Sequence, residues 1–396
     1  MKTPVVISPV VSKREQRCFQ RLPWAIYAPP GTQRDLNWVP PTLSQERDLL
    51  GWRKWCGWGR PHPFYDHAEC RAYLAWRGKT ALGRLAVIVN DVHNRTYADH
   101  LGFFGFFECV DDASVAHALL KTGENWLRER GMTSVRGPVN PSLNYTCGVL
   151  VEGFERPPCF LMTYNPPYYS ALLEGCGYSK AQDLYAYEMD LTLLADLVAR
   201  YKPAVVAALE RTDLVVRPMD PARFQEEIET YLDIYNRGLA GSWGFTPLQP
   251  REIRKIAADL RHIIVSEFAV FAEVAGKPVG ALLALLDYNE ILRTLNGRLL
   301  PPGMLALWRG RTGRRRITRA RAMAMTMVPG YQSAGLSVIL LDHLVGAVEG
   351  ARAGRKWGIE RYEFSWVLES NARSRGTIER TGARRTNTYR LYDKML

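Results

Sequence analysis

Cysteine is scarce in this chain and confined to one side of it. All seven, at positions 18, 56, 70, 109, 147, 159 and 176, fall in the first half, an odd number without C-x-x-C spacing. That excludes a disulfide framework and a cysteine zinc site, and leaves reduced, mostly buried thiols. Histidine is sparse too, and His62 and His67 flank Pro63, a spacing no helical metal pair has, so both read as structural and no metal is expected. Long apolar runs are missing: the one ending at Leu286 is too short to cross a bilayer, and MKTPVVISPVVSKREQ has no signal-peptide core, so a cytoplasmic protein is expected. Acid is missing from one stretch, RGRTGRRRITRAR (309–321), which has seven arginines and no Asp or Glu.

The remaining composition is that of a globular protein: 396 residues, enough for two domains, with 47% hydrophobic and 23% charged residues. A net charge of +12 suits nucleic acid, an anionic lipid surface or a phosphorylated cofactor, and does not choose among them. The stretch MAMTMVPGYQSAGLSVILLDHLVGAVEGA (323–351) reads as a buried strand ending near Val328, a tight Pro329-Gly330 turn, a small-residue loop and a long helix from about Leu336. Such a loop leaves backbone N–H groups and the positive end of the helix dipole pointing outward, an arrangement suited to a diphosphate, and Gly335 permits close approach.

The order of elements repeats. Hairpin, strand, long helix, strand, short helix and strand can be read in both halves, with Gly83 and Gly280 at the same place in their hairpins, Gly131 and Gly358 ending the long helices, and Gly177 and Gly382 ending the short ones. The reading is a tandem duplication divided at 192/193, with an insertion from Asp287 to Arg321 in the second copy.

Gln332, Gly335 and Ser337 fit the pattern Gln/Arg-x-x-Gly-x-small, and LNWVPP, GFFGFFE, RGPVNPSLN, YNPPYY, LNGRLLPPG and SWVLESN run along nearly the whole chain. In these motifs the sequence resembles a group of bacterial two-domain GNAT-superfamily N-acyltransferases, a group that includes bacterial ceramide synthases. The resemblance implies a mixed α/β (α+β) fold: two GNAT domains, each a mostly antiparallel sheet with splayed central parallel strands flanked by helices. It implies acyl-CoA as donor, with no metal. Met327 and Val328 would face the thioester, and Gln332, Ser333, Ala334, Gly335, Leu336, Ser337 and Asn371 would bind the cofactor. The second domain, 193–396, would carry acyl-CoA. The first, 1–192, has acids at Glu108, Asp111 and Asp112 where a diphosphate would sit; like charge repels it there, so that domain is expected to be degenerate and to shape the substrate pocket.

Amide formation from a thioester needs an unprotonated amine, and the strand YEFSWVLESN offers Glu363 and Glu369 as bases. The family's tyrosine acid would fall at Ile378, so Tyr389 or Tyr392 on the last strand would substitute, or the thiolate leaves without a side-chain acid. Asn140, Asn144, Tyr145, Asn165 and Tyr168 in the first half, and Tyr235, Asn236, Trp243 and Phe245 in the second, would hold a substrate head group or else cap loops. Apolar side chains beside the arginines of 299–321 suit an anionic membrane surface on the inner face of the cell and a donor with a long acyl chain. The function expected is acyl transfer from acyl-CoA, or from an acyl carrier protein, to an amine with a lipid tail such as a sphingoid base. A catalytically inactive ligand-binding tandem protein is the alternative, and nucleic-acid binding is the least favoured reading.

Overall fold

The structure, a computed structural model, describes residues 3–52, 61–209, 213–299, 302–332, 334–354 and 356–396. Cys56 and much of the tryptophan-rich stretch 51–67 lie outside the described residues, as does Ser333. The six described cysteines are free thiols, three of them buried. The chain divides into two units.

The first unit comprises Met1–Leu184, Leu295–Arg298 and Asn387–Leu396. Strands β1 (Val5–Pro9), β2 (Ala68–Arg77), β3 (Thr80–Asn90), β4 (Leu101–Cys109) and β5 (Ser134–Gly137) lie side by side in chain order. Beyond them are a short ladder of β6 (Val139–Asn140) with β7 (Thr146–Cys147), then β8 (Val149–Glu152). Helices α1 (Lys13–Tyr27), α2 (Leu43–Leu49), α3 (Asp91–Tyr97), α4 (Ala113–Arg128) and α5 (Tyr169–Gly175) complete it. Helix α4 forms where Val115, Leu119, Leu120 and Leu127 recur at helical spacing and bury one face against Leu85, Val87 and Phe104. Asp112 caps it, and Gly131, at φ +76°, turns the chain away after it.

The second unit comprises Tyr185–Thr294 and Leu299–Thr386. Its sheet runs in the order β9 (Ser179–Asp190), β14 (Arg361–Leu368), β13 (Arg319–Met327), β12 (Lys277–Leu286), β11 (Ala269–Val274), β10 (Leu214–Pro218). The β11–β12 hairpin closes through Ala275 and Gly276, both at positive φ, within the tip Ala275-Gly276-Lys277 read from the sequence. Helices α6 (Leu191–Leu209), α7 (Phe224–Gly238), α8 (Pro250–Leu260), α9 (Asn289–Leu295), α10 (Pro302–Arg311), α11 (Ala334–Ala353) and α12 (Ala372–Arg380) surround it; α7 lies on β12 and β13, and α11 packs beside α6.

The boundary differs from the 192/193 division of the sequence because each half's final strand is shared. The start of β9 belongs to the first unit and its end to the second, while β15 (Arg384–Met395) begins in the second and ends in the first. There Tyr392 pairs with Gly137 and Tyr389 with Leu150, so the chain's last strand completes the sheet of the first unit.

Candidate active site

The central pair of the second unit is parallel for only part of its length. The β13–β14 ladder runs from Arg319 opposite Arg361 to Ala322 opposite Phe364, after which β13 continues to Met327 and β14 to Leu368. The β12–β13 register shifts at the same level, between Leu283 and Ala284, leaving Met323 as the extra residue of a bulge. A bulge increases local twist and bends the strand, which accounts for the divergence of β13 from its neighbour. The two strands therefore cease to pair at Ala322/Phe364, the apex of an unpaired stretch that runs to Met327 and Leu368.

At the mouth, Val328, Pro329, Gly330 and Tyr331 form a turn closed by the Tyr331 N–H donating to the Val328 carbonyl at 3.1 Å, with Gly330 at φ +92° where only glycine is comfortable. Helix α11 begins at Ala334, two residues before the start read from the sequence. Gly335 and Ser337 are half-buried in its first turn, Leu336 is buried, and Gln332 is exposed with its carbonyl accepting from Arg373 at 2.6 Å. Met327 and Val328 are buried, and the Val328 N–H donates to the Val279 carbonyl, so that amide is committed to the sheet. Asn371 is exposed and caps α12 by accepting from the Ser374 N–H at 3.0 Å.

At the apex sits a buried polar group. The Ser365 hydroxyl donates to Glu363 at 2.6 Å and accepts from Arg321 Nε at 2.7 Å, while Arg321 Nη2 donates to the Ser365 carbonyl at 3.0 Å. Glu363 is 4% exposed, and burial pushes its carboxyl above the usual range against the opposing pull of Ser365 and Arg321. Two residues before Arg321 on the same strand, Arg319 pairs with the wholly buried Asp287 at 2.6 Å. Burial likewise raises the Asp287 carboxyl, Arg319 opposing it. Glu369, half-buried at the other end of β14, accepts from the Tyr185 hydroxyl at 3.2 Å. Tyr187, two residues along the same strand, donates to Glu379 of α12 at 2.7 Å.

The sequence singled out Glu363 and Glu369 but not their partners. Alternation along β14 places Ser365 beside Glu363; Arg321 was legible only as one of seven arginines, because its position opposite Glu363 depends on strand register. The arginine-rich arm is in fact divided: Arg319 and Arg321 are buried and bonded, whereas Arg309, Arg314 and Arg316 are exposed. Tyr389 and Tyr392 lie in the first unit, both fully buried, and the Tyr392 hydroxyl donates to Glu174 at 3.0 Å.

The residues expected at a substrate head group sort differently. Asn165 accepts from the Leu150 N–H at 2.6 Å and donates to the Leu150 and Pro166 carbonyls; Asn236 brackets Leu248 in the same way, both contacts at 3.0 Å. Tyr168 donates to the Cys109 carbonyl, and Asn140 accepts from the Phe106 N–H at 2.6 Å. These four hold main chain, the capping role such side chains take in loops. Asn144 and Tyr145 are half-buried in the loop after β6, where the Tyr145 ring meets His62 edge-on. Tyr235 stacks on Tyr231 and meets Phe245 edge-on, with Trp243 half-buried in the same loop.

The first unit has the same frame, differently filled. Gly83 pairs with Cys109, the last residue of β4, as Gly280 pairs with Met327, the last residue of β13. The β4–β5 ladder also stops early, at Phe103 opposite Arg136. Past that point the chain occupies its own opening: Asn140 takes the Phe106 N–H, and a Cβ on Gly105 would overlap the Val139 carbonyl oxygen. The Asp112 carboxylate accepts from the Ser114 hydroxyl at 2.6 Å and from Arg77 and the Ser114 N–H at 2.9 Å each, and these bonds, the hydroxyl's foremost, hold its pKa down at about 2. Glu108 accepts from Tyr27 and Tyr169, beside Arg84.

Among the described residues, no cluster of three or more His, Cys, Asp or Glu is placed to hold a metal, and no helix is long and apolar enough to cross a membrane. Comparison with known proteins agrees with the duplicated architecture. The chain is 33% identical over 392 residues to a bacterial ceramide synthase from Caulobacter vibrioides, covering 98% of this chain and 97% of that protein. It is 29% identical over 389 residues to Protein YghO of Escherichia coli, covering 98% and 94%. A tandem GNAT protein from the clavulanic acid biosynthesis pathway superposes with a TM-score of 0.53 at 12% identity, over 99% of this chain and 98% of that one. A GCN5-related N-acetyltransferase from Anabaena variabilis gives 0.50 at 9% identity, over 99% and 72%. No family model matches the chain. The fold is a tandem GNAT fold.

Proposed function

Because the chain belongs to the bacterial ceramide synthase family of GNAT-fold acyltransferases, we propose that it transfers a long acyl group from acyl-CoA to the primary amine of a lipid, a sphingoid base being the class its relative's name suggests. The observation that carries this reading is the ladder ending at Ala322/Phe364, with a buried carboxylate at the apex and an acid-free turn and helix start at the mouth. A pantetheine arm fits between diverging parallel strands because their facing main-chain groups are left to bond a ligand. Diphosphate goes to the first turn of α11, at Gly335, Leu336 and Ser337.

In this reading the amine nitrogen attacks the thioester carbon and the C–N bond forms. The C–S bond then breaks, the thiolate departs and Glu363 takes the proton lost by nitrogen. A buried carboxyl with a raised pKa is a better base than an ordinary one, provided it is ionised. Arg321, acting through Ser365, favours that ionised form. A thiol's pKa near about 8.5 makes the thiolate a tolerable leaving group without a tyrosine acid. Tyr235 and Trp243 supply apolar surface for the acceptor. Apolar donor and acceptor alike imply a supply from a membrane.

The test incubates the purified chain with a long-chain acyl-CoA and a panel of amines, following free thiol and amide by mass spectrometry. Amide formed only with lipid amines is expected. Acyl-CoA binding by calorimetry without turnover of any amine would make this an inactive ligand-binding protein and end the catalytic reading.

A further inference from the structure

Helix α10, in the insertion of the second unit, presents an apolar face that its own unit does not cover. Met304 is 54% exposed, Leu305 48% and Trp308 42%. Positions 304 and 308 are one turn apart and 305 adjoins them, so the three share a face. Most other exposed large hydrophobic residues among those described stand apart from one another in sequence, as single surface residues ordinarily do. The helix is fastened from behind. Trp357 Nε1 donates to the Gly310 carbonyl at 2.8 Å, Arg311 Nε donates to the Ile264 carbonyl at 3.0 Å, and Gly310 lies so close to Ile291 that a Cβ there would stand 2.6 Å from its Cδ1. The outward face is therefore a fixed surface.

Its rim is cationic. The Arg314 guanidinium lies 4.7 Å from the centre of the Trp308 ring, Arg309 is exposed on the same helix, and Arg316 is exposed and ion-paired with Glu360. From Ile291 to Leu341 the sequence contains no Asp or Glu. A phosphate backbone would satisfy the arginines but give Met304, Leu305 and Trp308 nothing apolar to enter. A protein partner would need acids around an apolar centre. An anionic bilayer supplies both at the needed depth: headgroup phosphates at the rim, acyl chains below, and an interfacial level favoured by tryptophan.

We propose that the α10 face docks the protein on anionic lipid surfaces, with Leu305 and Trp308 inserted and Arg309 and Arg314 on the headgroups. This deepens the lipid-amine reading by naming where substrates are collected, yet it stands on a surface that can be assayed without catalysis. The experiment measures partitioning of the full chain onto phosphatidylcholine vesicles with and without phosphatidylglycerol, by sedimentation and by tryptophan emission. Expected are binding to the anionic vesicles that weakens with salt, and a loss of roughly tenfold or more in L305S/W308S. R309Q/R314Q should lose the preference for phosphatidylglycerol while the emission shift at saturating lipid persists. Acyl-CoA binding by calorimetry, measured without vesicles, should be unchanged in both variants, which separates failure of docking from failure of the donor site. Wild-type chain that ignores the vesicles, variants that bind as well as wild type, or duplex DNA that displaces the vesicles from this face would each overturn the proposal.

Discussion

The two units carry the same strand–turn–helix junction and use it in opposite ways. In both, a hairpin glycine pairs with the final residue of the following strand, Gly83 with Cys109 and Gly280 with Met327, and the parallel ladder beyond ends early. In the first unit the opening is filled from within: Asn140 satisfies the Phe106 amide, Tyr168 the Cys109 carbonyl, and Asp112 the first turn of α4. In the second unit the turn is Pro329-Gly330, the helix start carries no acid, and the buried acids lie at the apex instead. On the function proposed above, the second cleft binds a ligand where the first binds its own chain, and both meet the same demand, because buried main-chain groups must be paired one way or the other. What separates them is which side supplies the partner.

The largest effect should come from the apex. Glu363→Gln is expected to lower kcat by about 10²–10⁴-fold with little change in KM for the donor. Its pH profile is the sharper test. Because burial raises the Glu363 carboxyl, wild-type activity should climb with pH through a limb lying above the ordinary carboxylate range, as the base ionises. The glutamine variant should lose that limb, and retention of it would assign the base elsewhere. Ser365→Ala, which removes the link to Arg321, should move the limb to higher pH while leaving donor affinity alone.

Next comes the filled cleft. Gly105→Ala sets a Cβ against the Val139 carbonyl, backbone against backbone, with no flexible side chain to yield. A destabilisation of about 2–4 kcal/mol is expected in denaturant titration. By contrast, a Cβ on Gly280 would meet first the Met327 side chain at 3.2 Å, which can move, so Gly280→Ala should cost less. Gly335→Glu tests the mouth: a carboxylate in the first turn of α11 should weaken acyl-CoA binding by roughly tenfold in calorimetry, through like charge. Unchanged donor affinity would remove the diphosphate from that turn.

Much of this frame was legible in the sequence. Turn glycines such as Gly131, Gly177 and Gly382, the Asp112 cap and the periodicity of the long helices marked the elements, whereas Gly358 does not end the second long helix as expected, since α11 stops at Ala353. The shared final strands were not legible, because nothing local distinguishes a strand that closes its own half from one that crosses to the other. The same limit hid Arg321 and Tyr185. Each acquires its partner from strand register across a long separation, and composition placed Arg321 with the solvent-facing arginines beside it.

The smallest expected effect separates the two junctions by pH. Asp112→Asn removes the charge at the start of α4 and weakens the bond to Arg77, and should cost about 1 kcal/mol at neutral pH. Asp112 is held at about 2, below an unfolded value near ~3.9. Its contribution is therefore complete above that unfolded value and is lost as pH falls toward 2, where wild type and variant should converge. His93, buried beside Asp99 and lowered to about 4, works in the same unit with its own window: the unfolded chain binds the proton first, so stability drops as pH falls from about 6.5 toward 4. That loss is common to both proteins and cancels in their difference. A wild-type-minus-variant stability that stays flat from pH 7 to about 4 and then falls would locate the acid's role in holding the helix start. One that is already small at neutral pH would mean the first unit keeps its acid for another purpose.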